Sequence, residues 1–121
     1  MIAEKAARNF SKMDMQNIEV DVGNFDLHLE KTLLKFNRLD FVFIDGNHRQ
    51  EATIRYFKQI LPKLHPGSIM VIDDIHRSKG MHRAWEKLRE HEKVSISIDL
   101  FRLGIVLFKD DIAKEHFILK Y

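Results

Sequence analysis

Two short apolar runs in this chain stop at acids. Leu39-Asp40-Phe41-Val42-Phe43-Ile44 runs into Asp45-Gly46-Asn47-His48, and Ser68-Ile69-Met70-Val71-Ile72 runs into Asp73-Asp74, with His76 close behind. If both runs are parallel strands lying side by side, Asp45, Asp73 and Asp74 converge beyond their carboxyl ends, where open α/β sheets bind ligands. Carboxylates that close repel one another and require a cation or raised pKa values. A hard divalent ion with oxygen ligands, such as Mg²⁺ or Ca²⁺, is the simplest answer. One acid at a strand end is ordinarily a solvated loop residue, so the argument rests on the three together. His48 and His76 are candidates for chemistry by position, whereas His28, His65, His82, His91 and His116 read as surface residues. Trp85 and the nine phenylalanines read as core.

The elements that must position these residues follow from periodicity. Ile2, Ala6, Phe10 and Met13 recur at helical spacing. Ile18 to Val22 alternates apolar and acidic residues before Gly23-Asn24, which predicts a strand and a turn. Phe25, Leu29, Leu33 and Phe36 mark a second helix. Leu39 to Ile44 is a buried strand. Ala52, Phe57, Ile60, Leu61 and Leu64 stripe a third helix, with Pro62 in its last turn and Pro66-Gly67 ending it. Ser68 to Ile72 is the next buried strand. Ser78 caps a helix carrying Met81, Ala84, Trp85 and Leu88. Val94, Ile96 and Ile98 alternate with Ser95, Ser97 and Asp99, a strand with one polar side. Leu103 to Phe108 is the last strand, after a turn at Phe101 to Gly104, and Asp110 to Tyr121 reads as a polar tail. Alternating units imply parallel crossovers, an open, mostly parallel Rossmann-like sheet with helices on both faces and an antiparallel C-terminal hairpin.

Bulk properties narrow the partners. The 121 residues, 45% of them apolar and 31% charged, suit a single domain, residues 1–121. A net charge of +2 with interleaved signs offers no basic patch for nucleic acid. No apolar run approaches the roughly 18 residues a membrane span needs. The absence of cysteine excludes disulfides and fits the cytoplasm, and the N-terminus carries no apolar signal core.

Leu39 to His48 resembles the fourth-strand motif of class I S-adenosylmethionine-dependent methyltransferases. It is most similar to an O-methyltransferase-like branch with an Ile-Asp-Gly-Asp/Asn-His signature. Leu64-His65-Pro66-Gly67-Ser68 through Asp73-Asp74 resembles that branch's Pro-Gly, strand and paired-acid pattern, and Asn17 to Val20 with Gly23 to Asp26 resembles its third strand and adenine-side turn. The resemblance implies S-adenosylmethionine as cofactor, with Asn24, Phe25 and Asp45 at its site. It implies a divalent ion on Asp45, Asp73 and Asp74 that orients a small-molecule hydroxyl. Some relatives carry a carboxylate base where this chain has Asn47, which cannot take a proton; His48 is the substitute, so Asn47 and His48 are the catalytic candidates.

The chain departs from the pattern in one respect. None of Gly23, Gly46, Gly67, Gly80 and Gly104 forms the Gly-x-Gly turn of the family's first strand. The expectation is therefore a domain truncated at its N-terminus that binds cofactor poorly. Its Leu39 to Ile44 edge would be left bare, to be paired by Ile18 to Val22 or by another chain, which points to a homo-oligomer. A haloacid-dehalogenase-type phosphatase lacks its Asp-x-Asp at Asp45-Gly46-Asn47, and a receiver domain has its acids in the wrong order. A non-enzymatic remnant that binds a partner or itself is the remaining alternative.

Overall fold

The computed structural model describes residues 1–120. The chain divides into two compact units, Met1–Thr32 and Leu33 onward.

In the first unit, helix α1 spans Ile2–Lys12, with Glu4 in its first turn and Lys12 in its last, both matched to the helix dipole. Helix α2 spans Phe25–Leu34 and so continues into the second unit. Asn24 caps it: its Oδ1 accepts from the Asp26 N–H at 2.8 Å. The strand expected over Ile18 to Val22 is not formed, and the segment is irregular. Alternation alone does not make a strand; the backbone needs a ladder, and none of these residues joins one. Asp21 instead accepts a hydrogen bond from the Thr32 hydroxyl at 2.9 Å.

The second unit is built on five strands: β1 Phe41–Ile44, β2 Ile69–Asp73, β3 Ile96–Asp99, β4 Leu103–Leu107 and β5 Glu115–Ile118. Their order is β1-β2-β4-β3-β5. β1 runs parallel to β2, and β3 parallel to β5. β4 is antiparallel to both β2 and β3. Hence β1, β2, β3 and β5 all point the same way, and their carboxyl ends share one rim. The expected hairpin is β3–β4. The expected polar tail contains β5, a strand that the sequence reading did not find.

Helix α3 (Gln50–Ile60) is extended by a 3₁₀ turn at Leu61–Lys63 holding Pro62. Helix α4 (Lys79–Glu90) starts at Ser78, whose hydroxyl accepts from the Met81 N–H at 3.1 Å. The two helices pack against each other. Met70, Ile72 and Val106 are buried in the sheet, with Tyr56, Phe57, Ile60, Met81, Trp85 and Leu88 from the helices. The alternation expected for β3 is present, and the polar side is the inner one. Ser97 and Asp99 are the buried residues and Ile96 and Ile98 the half-exposed ones. Each buried polar group has a partner: Ser97 Oγ lies 2.7 Å from His116 Nδ1, and Asp99 Oδ2 lies 2.6 Å from His76 Nε2.

Candidate functional site

The parallel register puts Asp45 just past β1 and Asp73 at the end of β2, so the acids share the rim as anticipated. Asn47 and Asp74 both adopt left-handed backbone, with φ of 57° and 55°. Asn and Asp tolerate that region better than other side-chain residues, and it sharpens the two turns. Asn47 is anchored by its amide, whose Nδ2 donates to the Tyr56 hydroxyl at 3.1 Å. The His48 ring is held between two carboxylates, with Nε2 3.7 Å from Asp45 and Nδ1 3.8 Å from Asp74.

The acids do not form the expected metal cradle. Asp73 Oδ1 lies 3.4 Å from Arg102 Nε. Asp74 lies 3.4 Å from Arg77 Nη1 and 3.9 Å from Arg102 Nε. Among the described residues, no group of three or more His, Asp and Glu is placed to hold a metal ion. The guanidinium groups reach Asp73 and Asp74, and Asp45 has His48 beside it at 3.7 Å, so each carboxylate already has a partner of its own. Arg102 precedes β4, and β4 sets Leu103 opposite Asp73, which delivers a cation to the same rim. Counting acids along the sequence missed it, because the hairpin that carries Arg102 folds back from 29 residues away.

Asn24 and Phe25 lie in the first unit. Asn24 serves as the α2 cap and Phe25 is exposed. Asp45, exposed, belongs to the second.

His76 shares no hydrogen bond or ion pair with His48 among the described residues and is bound instead at the end of β3. Its Nε2 sits on Asp99, and its Nδ1 is 3.0 Å from His82 Nδ1. His82 Nε2 lies 3.2 Å from Glu86. The proton between His76 Nδ1 and His82 Nδ1 can sit on either ring. His82 and His116, read from the sequence as surface residues, are therefore parts of a network. The available signal was on α4, where His82, Trp85, Glu86 and Arg89 share one helical face.

Asp99 feels opposing influences. Burial raises its pKa, but the Phe101 N–H, the His76 hydrogen bond and the charges of His76 and His116 together hold it below the ordinary value. His116 is an exposed residue, yet desolvation of its ring and then the Arg89 guanidinium lower it, against Asp99 and Ser97. Both groups bind a proton less readily folded than unfolded, so acid destabilises the fold. The His116 contribution is complete above its ordinary 6.5 and is lost as pH falls through the lowered value. The Asp99 contribution is complete above 3.8 and is lost in stronger acid. We expect the urea midpoint to fall between about pH 7 and about pH 5, by a small amount given solvent screening, and to fall less in His116→Gln. An identical slope in the variant would remove His116 from the account.

The sheet order and the strand-end rim define a Rossmann-like α/β domain. The methyltransferase-domain family matches residues 3–75, more than half of the sequence, and the chain belongs to that family. Such enzymes generally draw their methyl group from S-adenosylmethionine. No curated protein matches the chain. No helix among the described residues is long and apolar enough to cross a membrane.

Proposed function

We propose that the chain serves O-methyl transfer from S-adenosylmethionine to the hydroxyl of a small molecule, with His48 as general base. The observation that carries this is the His48 ring suspended between Asp45 and Asp74 at the strand-end rim. Bound S-adenosylmethionine supplies a methyl group on a positively charged sulfur. Attack on it is an in-line displacement, so the protein's work is positioning and proton removal. His48 takes the hydroxyl proton, and the two flanking carboxylates stabilise the imidazolium that results. Asn47, tethered to Tyr56 through Nδ2, keeps its Oδ1 free to orient the hydroxyl. No divalent ion enters this scheme; Arg102 and Arg77 stand beside Asp73 and Asp74, and His48 beside Asp45.

The test is transfer of labelled methyl from millimolar S-adenosylmethionine to a panel of phenols and alcohols. We expect product, unchanged by a chelator, and a loss of about 100-fold or more in His48→Gln. High cofactor concentration is needed because the sequence contains no Gly-x-Gly turn. Calorimetry should accordingly show S-adenosylmethionine binding weaker than low micromolar. Absence of labelled product from the whole panel would overturn the reading.

A second reading is a non-enzymatic module that self-associates. It is favoured by β1, which pairs only with β2 among the described residues and carries exposed Phe41 and Phe43. Self-association through this edge is proposed under either reading, with a second copy of the chain as the partner.

A further inference from the structure

Three buried side-chain polar atoms lack a hydrogen-bond partner among the described residues, and two of them, Trp85 Nε1 and Arg89 Nε, lie one turn apart on α4. Both are donors, and both residues line the same cavity of about 650 Å³. A buried donor without an acceptor is rare enough in a native fold to require a reason.

The cavity lies along α4 and the carboxyl ends of β3 and β5. Its apolar wall is Trp85, Phe101, Ile118 and Leu119. Among the described lining residues, Asp99 is the only carboxylate. That charge is already matched, by the Phe101 N–H at 2.8 Å and by His76 Nε2 at 2.6 Å. Opposite stand two permanent cations, Arg89 and Lys120, with His82 and His116 beside them. The lining therefore carries an excess of positive charge around an apolar interior. The volume is in the range that small organic ligands occupy.

Phe101 adds a separate observation. It holds φ at 68°, a region unfavourable to a bulky side chain, and it is 76% exposed. Its ring stacks on His76 with centroids 5.6 Å apart and planes at 27°. Strained residues of this kind concentrate at ligand clamps. Burial of an apolar ring does not explain the strain, since the ring is largely in solvent.

We infer that this cavity binds a small aromatic carboxylate. The carboxylate answers the excess cationic charge, and a small side-chain shift on binding gives the Trp85 and Arg89 donors, which are out of reach of solvent, the acceptor they lack. The ring of the ligand lies in the apolar space among Trp85, Phe101, Ile118 and Leu119. The lining does not include Asp45, His48 or Asp74, so the inference stands apart from methyl transfer.

Trp85 is the only tryptophan of the chain, so its fluorescence reports on the cavity directly. Benzoate titrated into the full chain should give a saturable change. Benzamide, of the same shape and uncharged, should bind at least about tenfold more weakly, as should benzoate to Arg89→Met. Leu119 is 50% exposed, so Leu119→Glu should keep the native circular dichroism while placing a negative charge at the mouth and abolishing the benzoate response. No saturable change with benzoate, equal binding of benzamide, or an unaltered response in Leu119→Glu would each overturn the proposal.

Discussion

Trp85→Ala is expected to lower the unfolding free energy by about 3–5 kcal/mol, a large share of the roughly 5–15 kcal/mol that holds an ordinary domain together. Trp85 is 2% exposed and sits where α4 meets the sheet. Its indole N–H has no acceptor among the described residues, so losing that group removes no hydrogen bond seen there and sets the penalty toward the lower end of the range. Gly104 on β4 is the complementary half of this contact. A Cβ there would stand 2.5 Å from the Trp85 ring. Gly104→Ala should therefore overpack the site, at a cost of about 1–3 kcal/mol. The two changes should not add. With the ring gone, the new methyl group has room, and Gly104→Ala in the Trp85→Ala background should be close to neutral. Urea unfolding of the four proteins closes this cycle. Strict additivity would show that Gly104 is required for some reason other than the indole.

The second large effect concerns mass. At tens of micromolar, light scattering should report a species heavier than one chain, and Phe43→Lys should return it to a single chain. In the β1–β2 register, Phe41 lies opposite Ile69 and Phe43 opposite Val71. Phe41 is 61% exposed and Phe43 52%, so an apolar strip follows a strand whose outer backbone edge has no ladder among the described residues. Such an edge is a template for pairing unless charge or proline blunts it. A lysine at Phe43 supplies that charge without touching the buried face. A clean single-chain mass for the unaltered protein would reject self-association at this affinity range.

The sequence made the rim legible because two independent signals agreed there. A buried apolar run identifies a strand, and a following acid marks its end, so Asp45, Asp73 and Asp74 fell at one edge once the strands ran parallel. Helix signals were equally local: Ser78 capped α4, and Met81, Ala84, Trp85 and Leu88 are its buried residues. What failed was whatever depended on a distant partner. Ile18 to Val22 alternates correctly yet finds no neighbouring strand, whereas Glu115–Ile118 lacks alternation and becomes a strand because β3 accepts it. The alternation of β3 did not say which side is buried; Ser97 and Asp99 are buried because His116 and His76 meet them from 19 and 23 residues away. Arg102 escaped notice for the same reason, and with it the ion pairs it makes with Asp73 and Asp74.

The position of β5 bears on the order in which the sheet assembles. β4 turns back against β3, and the chain then returns past β3 to lie on its far side. β5 therefore has no template until the β3–β4 hairpin exists, and its contacts span a longer loop than those of the hairpin. Such pairing is slow to form and, at a sheet edge, first to open. One tether limits that opening: Lys114 Nζ donates to the carbonyls of Arg89 and His91 at 2.9 and 2.7 Å, fastening the strand's approach to the end of α4. The last strand is thus fastened at its entry by Lys114 and at its far end by the Leu119 N–H, which donates to the Asp99 carbonyl at 2.9 Å.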